Sequence, residues 1–255
     1  MSGYRAECDT VLRWGYDLHG TLLDTYRAIE ANVQAKQIEL KRRLFPEELQ
    51  ALRDRVFTDE TFVLEEVQPI PGSLESVSEL LMRKQKIRFV SRSDETAHRA
   101  SYQWLTRYDL GCYPHTYTGR GELKYTVIRR GDFHVFVDNN EKEANPLCSL
   151  VPYVFLFDPS SGIDRPEPIP SLIPWNDRPI VIPGFACFTA CIPEIIFQLS
   201  GQEEEIFEIR KRSRSRRSAR KASGSSPTAS PRPPRKAESS PPPISVRPRR
   251  PKLAS

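Results

Sequence analysis

The predicted fold is decided by one stretch, Val11-Leu12-Arg13-Trp14-Gly15-Tyr16-Asp17-Leu18-His19-Gly20-Thr21-Leu22-Leu23-Asp24. The apolar and aromatic residues up to Tyr16 predict a strand that ends at Asp17. Gly20 permits a sharp turn after that strand, because glycine adopts backbone conformations that other residues avoid. A helical spacing of apolar residues begins at Leu22. The stretch therefore predicts a strand, a turn and a helix, with a carboxylate at the end of the strand.

The next 140 residues alternate between helical and strand patterns. Helices are expected to begin near Leu22, Pro46, Ser73 and Asp94, and buried strands are expected at 87–90, 133–137 and 153–157. One buried helix face is predicted from Leu22, Tyr26, Ile29 and Val33. Alternation of this kind implies right-handed crossovers and a Rossmann-like, mainly parallel α/β sheet with helices on both faces. Ligands of such sheets bind beyond the carboxyl ends of the strands.

Chemically useful side chains follow several of these strands. Asp17, Ser91 and Asp138 each come at the end of a predicted strand, and Lys124 lies ahead of a short helix. Two carboxylates on neighbouring strand ends can hold Mg²⁺, which prefers oxygen ligands. A hydroxyl and an ammonium group can bind phosphoryl oxygens and offset their charge. The pattern predicts a site for phosphoryl transfer.

The same residues resemble the four motifs of the haloacid dehalogenase (HAD-like) superfamily. The motifs are Asp17-x-His19-Gly20-Thr21, Ser91 at the end of a strand, Lys124, and Val137-Asp138-Asn139-Asn140. Pro69-Ile70-Pro71-Gly72 and the helix and strand after it are most similar to the 5′-nucleotidase and 5′(3′)-deoxyribonucleotidase branch. The resemblance covers roughly residues 10–160. It implies a phosphatase domain over 1–209, with a small helical cap at about 25–68.

The resemblance also implies a role for individual residues. Asp17 would be the nucleophile that forms an aspartyl-phosphate, and His19 would take part in proton transfer. The substrate phosphoryl group would be bound by Thr21, Ser91, Arg92 and Lys124. Mg²⁺ would be held by Asp17, Asp138, Asn139 and the main-chain carbonyl of His19.

Two residues depart from the family pattern. The phosphatases usually have a second aspartate where His19 stands, and an acidic pair where Asp138 and Asn139 stand. An imidazole near its reference pKa of about 6.5 can still give and take a proton. The alternative is that His19 and Asn139 mark an inactive protein kept for binding or regulation.

The charge of the chain is divided between two segments. Residues 210–255 contain 15 Lys or Arg and one acid, whereas residues 1–209 contain 23 Lys or Arg and 32 acids. The 210–255 segment has no aromatic residue, nine prolines and eleven serines, which predicts a disordered basic tail. Its run RKRSRSRRSARK, at 210–221, is typical of a nuclear localisation signal or of unselective nucleic-acid binding. A solvated charged tail without such a role is the alternative.

The remaining composition argues against several protein classes. The five cysteines are odd in number and scattered, which favours neither a disulfide framework nor a zinc site. Cys187 and Cys191 are expected to be core thiols. The apolar stretch 180–199 is interrupted by Pro183 and Pro193, so no membrane span is predicted. We expect an intracellular protein, nuclear in a eukaryotic host.

The leading hypothesis is a Mg²⁺-dependent phosphomonoesterase that acts on a nucleotide or similar phosphorylated small molecule. The alternatives are a catalytically impaired binding or regulatory protein and a phosphatase for phosphoproteins or polynucleotide ends. In that last case the basic tail would recruit the substrate.

Overall fold

The structure is a computed structural model that describes residues 10–119 and 124–200. Its strands are β1 Arg13–Tyr16, β2 Lys86–Arg92, β3 His115–Thr118, β4 Val135–Asp138, β5 Tyr153–Phe157 and β6 Ile180–Ile182. They form one sheet in the order β3-β2-β1-β4-β5-β6, and every neighbouring pair is parallel. The predicted parallel sheet is therefore confirmed.

Eight helices are described in these residues. They are α1 Thr25–Leu40, α2 Pro46–Thr58, α3 Glu60–Glu65, α4 Ser73–Met82, α5 Glu95–Arg107, α6 Lys124–Gly131, α7 Glu141–Leu147 and α8 Phe185–Ser200. None of these helices is long and apolar enough to cross a membrane.

Side chains on the central strand β1 show that helices cover both faces of the sheet. On one face, the rings of Trp14 and Tyr16 lie 6.2 and 6.1 Å from the ring of Phe188 in α8. The intervening Gly15 faces the opposite side and contacts Phe136 of β4. Phe136 belongs to an apolar cluster that includes residues of α6 and α7. Successive side chains of β1 therefore face opposite sides of the sheet, and a separate layer of helices covers each side, as predicted.

The segment predicted to form a helical cap contains α1, α2 and α3. The predicted buried face of α1 is wrong in part, because Tyr26 is 65% exposed while Thr25 and Ala28 are buried. The physical reason is that α1 packs against α2 rather than against the sheet, so little apolar surface covers it. The predicted division into a domain and a cap stays a prediction, and the proposed tail at 210–255 lies outside the described residues.

Helix α4 begins at Ser73, as predicted. Its N-cap is Gly72, with φ +80°, and the Ser73 hydroxyl donates to the carbonyl of Leu22. Strand β3 was not predicted, because His115–Thr118 is polar and only four residues long. β6 and α8 were also missed, since proline and glycine interrupt that apolar segment and Pro193 lies inside α8.

The cysteines of α8 are buried as expected. Cys187 is 6% exposed and Cys191 is fully buried. Burial raises the pKa of both thiols above the ordinary value, which favours the neutral form. Neither residue belongs to a metal-binding group of three or more side chains in the described residues.

Gly15 provides a test of how tightly β1 and β4 pack. A Cβ at Gly15 would lie 2.3 Å from Cδ2 of Phe136 and 2.9 Å from Cδ1 of Phe133, whereas a Cβ at Gly119 meets nothing within 4 Å. We predict that Gly15→Ala lowers the free energy of unfolding by about 1–3 kcal/mol, as overpacked cores do, and that Gly119→Ala changes it little. Urea unfolding measures both. Equal stabilities for the two variants would contradict the described packing.

Candidate active site

Asp17 and Asp138 lie side by side at the carboxyl ends of adjacent parallel strands. Asp17 directly follows β1, and its backbone N–H donates to the carbonyl of Val137 in β4 at 2.9 Å. Asp138 is the last residue of β4 and is fully buried, while Asp17 is 6% exposed. Strand pairing therefore fixes both carboxylates at one edge of the sheet.

The ammonium group of Lys124 lies between these carboxylates. Its Nζ is 2.6 Å from Oδ1 of Asp17 and 2.8 Å from Oδ2 of Asp138. It also lies 3.6 Å from Oε2 of Glu143 in α7. Lys124 is the first residue of α6, and its side chain is 4% exposed. The structure thus brings together Asp17, Lys124 and Asp138, far apart in the sequence, in one buried cluster.

The electrostatics of the cluster follow from its burial. Burial raises the pKa of Asp17 and raises that of Asp138 to about 6, and the Lys124 charge opposes both shifts. Burial would lower the pKa of Lys124, but the two carboxylates outweigh it and raise that pKa above its ordinary value. The carboxylates are therefore buried anions that depend on a nearby positive charge.

The oxygen atoms around this cluster fit Mg²⁺. The carboxylates of Asp17 and Asp138 converge on one nitrogen, so a single cation can contact both. Thr21 Oγ1 lies 3.3 Å from Oδ2 of Asp17 and 3.3 Å from Oδ1 of Asn139, which places the amide oxygen beside them. The described residues contain no group of three His, Cys, Asp or Glu side chains fit for a metal. An oxygen set with two carboxylates suits Mg²⁺, which keeps several waters.

Gly20 allows the loop after β1 to approach Asn139. Its φ is +78°, and a Cβ there would lie 2.3 Å from Nδ2 of Asn139 and 2.3 Å from Cε2 of Tyr26. Any side chain at this position would therefore be strained and would collide with its neighbours. The sharp turn predicted from Gly20 is confirmed.

His19 is held by Ser101 of α5. Its Nε2 lies 3.0 Å from Ser101 Oγ, and that hydroxyl donates its hydrogen to the carbonyl of Ala97 at 2.7 Å. Nε2 must then be the donor to Ser101, which leaves the lone pair on Nδ1. Nδ1 is buried and has no hydrogen-bond partner among the described residues. Burial, helped by the Lys124 charge, lowers the pKa of His19 to about 4. The expectation of a ring near its reference pKa is wrong, because the neutral form is favoured.

Ser91 contacts an imidazole that the sequence analysis did not identify. Ser91 is fully buried in β2, and its Oγ lies 3.0 Å from Nε2 of His115 in β3 and 3.4 Å from Oγ of Ser93. Burial lowers the pKa of His115 to about 3, so the ring is neutral. With its proton on Nε2, His115 donates to Ser91 and leaves the serine hydrogen for a ligand. Only the pairing of β3 with β2 could have revealed this contact.

Arg92 lies at the rim of the cluster. Its side chain is 61% exposed, and Nη1 contacts Oε1 of Glu143 at 2.9 Å. Glu143 in turn faces Lys124, so it connects Arg92 to the buried carboxylates. Glutamates are common in the first turn of a helix. The sequence alone therefore could not show that Glu143, rather than Glu141, contacts Arg92 and Lys124.

The chain is similar to known proteins only in its overall structure. No protein-family model matches the chain, and no curated protein sequence matches it. Among solved structures, a haloacid dehalogenase-like hydrolase of Xanthomonas campestris has 16% identity and a TM-score of 0.45, with 75% of this chain and 98% of that chain covered.

Two further solved structures have a similar degree of likeness. The L-2-haloacid dehalogenase of Xanthobacter autotrophicus, with chloropropionic acid covalently bound, has 11% identity and a TM-score of 0.45 over 72% of this chain and 99% of that one. A HAD hydrolase of Bacillus subtilis bound to magnesium has 11% identity and a TM-score of 0.45 over 68% and 95%. Likeness at this level carries no conclusion about function, which has to be inferred from the site of this chain.

The cluster makes a direct prediction about stability. Lys124→Met should lower the free energy of unfolding by about 3–5 kcal/mol, because removal of one partner leaves buried charges unpaired. Adding Asp138→Asn should restore part of the loss, since one of those charges is then removed. Lys36→Met is the matched control, because Lys36 pairs with Glu39 at an exposed position. Urea unfolding of the three variants gives the energies, and a loss no larger than that of Lys36→Met would refute the buried contact.

Proposed function

We propose that this chain is a Mg²⁺-dependent phosphomonoesterase that acts on a nucleotide or similar small phosphate through an aspartyl-phosphate. The observation that carries the proposal is the contact of one Lys124 ammonium with both Asp17 and Asp138. It brings two carboxylates and a fixed positive charge together at the edge of a parallel sheet where ligands usually bind, which supports Asp17 as the proposed nucleophile.

The residues around Asp17 are suited to bind a phosphoryl group. Lys124 supplies a buried positive charge, and Ser91 supplies a hydroxyl oriented by His115. Thr21 shares its hydroxyl between Asp17 and Asn139. Fixed donors of this kind stabilise charge on phosphoryl oxygens without reorganising during the reaction. Mg²⁺ held by Asp17, Asp138, Asn139 and the His19 carbonyl would supply further neutralisation of that charge.

The reaction would then proceed in two displacements at phosphorus. A carboxylate oxygen of Asp17 bonds to phosphorus as the bond to the ester oxygen breaks, and the leaving alkoxide or phenoxide departs and takes a proton from solvent water. Water then attacks phosphorus, which releases inorganic phosphate and restores the Asp17 carboxylate. We propose that Nδ1 of His19, which has no hydrogen-bond partner among the described residues, accepts the proton of that water. The neutral imidazole favours this role over proton donation to the leaving group.

Replacement of the nucleophile tests the proposal most simply. We predict that Asp17→Asn lowers phosphate release from 4-nitrophenyl phosphate with Mg²⁺ by at least about a hundredfold, because loss of a covalent nucleophile costs several powers of ten. Asp24→Asn is the matched control, since Asp24 caps α1 and asparagine also caps helices. Comparable turnover by the Asp17→Asn protein and the wild type would exclude the proposed nucleophile.

The contact between Ser91 and His115 gives a second activity test. Ser91→Ala should lower kcat/KM for 4-nitrophenyl phosphate by about 10- to 100-fold, the effect of losing a hydrogen bond to a charged group. His115→Ala should lower it less and should add nothing in the Ser91→Ala background, because it acts through Ser91. His134→Ala is the control, as His134 contacts Arg13 at the opposite end of β1. Additive losses in the double variant would contradict this positioning role.

A second candidate function is favoured by His19 alone. Where the family resemblance implies a second aspartate, this chain has a partly buried imidazole whose lowered pKa favours the neutral form. A protein that binds a phosphate ester without turning it over would use the same cluster. Calorimetric binding of a phosphomonoester that is never hydrolysed, in the presence of Mg²⁺, would support this alternative.

The third candidate, a phosphatase recruited to phosphoproteins or polynucleotide ends, depends on residues 210–255. That segment lies outside the described residues, so its role and the nuclear location remain predictions from composition. Turnover of phosphopeptides or phosphorylated oligonucleotides in preference to small phosphates would favour this candidate.

A further inference from the structure

A cavity of about 450 Å³ lies between helix α2 and the carboxyl ends of β2 and β3. Its wall includes Asp54 and Phe57 of α2, Arg92 at the end of β2, Ser93 and Asp94 directly after it, and Thr118 of β3. Its volume lies within the range of small-molecule sites. It is much larger than one phosphate group requires.

The cavity adjoins the proposed phosphoryl site at two places. Ser93 lines the cavity, and its Oγ lies 3.4 Å from Oγ of Ser91. Phe57 also lines it, and its ring lies 5.9 Å from the ring of His19. The cavity therefore borders two residues of the proposed site, Ser91 through Ser93 and His19 through Phe57.

Thr118 is the residue that points to a ligand. It is fully buried, and its Oγ1 has no hydrogen-bond partner among the described residues, although it lines the cavity. A buried hydroxyl without a partner is unfavourable because it has lost its hydrogen bonds to water. A polar atom of a bound molecule would satisfy it.

The charges on the cavity wall limit what that molecule can be. Asp54 accepts a hydrogen bond from Gln50, and Asp94 accepts one from the backbone of Ala97, and neither contact neutralises the carboxylate. Arg92 supplies the opposing charge, but its guanidinium is already paired with Glu143. The unneutralised charge of the wall is therefore negative.

We infer that this cavity binds the alcohol part of the substrate, and that this part is neutral or cationic with a polar group that hydrogen-bonds to Thr118. The inference rests on the proposed phosphomonoesterase function and specifies its substrate class. Asp54 and Asp94 select against a second anionic group. Esters with one phosphate and a neutral or cationic alcohol part are preferred over diphosphates and over esters whose alcohol part carries a carboxylate.

Charged aryl phosphates test the selection by Asp54 and Asp94. The probes are phenyl phosphate, 4-(aminomethyl)phenyl phosphate and 4-carboxyphenyl phosphate. We expect kcat/KM for the anionic probe to be about tenfold below that for the cationic probe, which corresponds to about 1.4 kcal/mol. The double variant Asp54→Asn/Asp94→Asn should reduce this ratio to about twofold as wall charge is removed. Asp24→Asn, outside the cavity, should leave it unchanged.

A matched pair of probes tests Thr118. The wild type should prefer 4-(hydroxymethyl)phenyl phosphate over the similarly sized 4-ethylphenyl phosphate by about three- to tenfold, the effect of one hydrogen bond. Thr118→Val keeps the shape of the side chain and removes the hydroxyl, so it should abolish this preference. An unchanged preference would overturn the role of Thr118.

Binding of the free phenols separates this inference from the proposed function. NMR titration of the full chain with 4-(aminomethyl)phenol and 4-hydroxybenzoate requires no turnover. Selective binding of the cation without phosphate release from any probe would retain the cavity site and remove the phosphatase. Turnover with equal kcat/KM for phenyl phosphate and the two charged aryl phosphates, or no binding by either phenol, would overturn the inference.

Discussion

The contact of Lys124 with Asp17 and Asp138 is the interaction on which the site depends. Two carboxylates buried this close together repel each other and lose their hydration, so the arrangement is stable only with a cation between them. The parallel pairing of β1 with β4 fixes the carboxylates, and the start of α6 supplies the ammonium group. The site is therefore complete only when the ends of β1 and β4 and the first residue of α6 are all in place.

The Lys124 charge also influences the neighbouring imidazole of His19. It adds to burial in lowering the pKa of His19, so that this ring stays neutral beside an acidic cluster. His115 is neutral through burial and holds Ser91 by one hydrogen bond. In the proposed function, the positive charge near the phosphoryl group would come from Lys124 and Mg²⁺, while His115 would orient Ser91 and His19 would offer a lone pair.

The sequence alone predicted the elements whose patterns are local. A strand followed by Asp17 and Gly20, and another followed by Asp138, indicated two carboxylates at one sheet edge, and the strand order places them there. His115 and Thr118 were missed because β3 is short and polar, and its identity as a strand depends on pairing with β2. Long-range pairing of this kind leaves no periodic signal in the sequence.

The central claim is that Asp17 carries the phosphoryl group during turnover. It is tested most directly by adding 4-nitrophenyl phosphate and Mg²⁺, quenching within one turnover, and reducing the protein with borohydride before peptide mass spectrometry. An acyl phosphate is reduced by borohydride, so the account predicts homoserine at position 17 and unchanged aspartate at position 138. Phosphate release during that turnover without any modification of Asp17, or with homoserine at another aspartate, would contradict it.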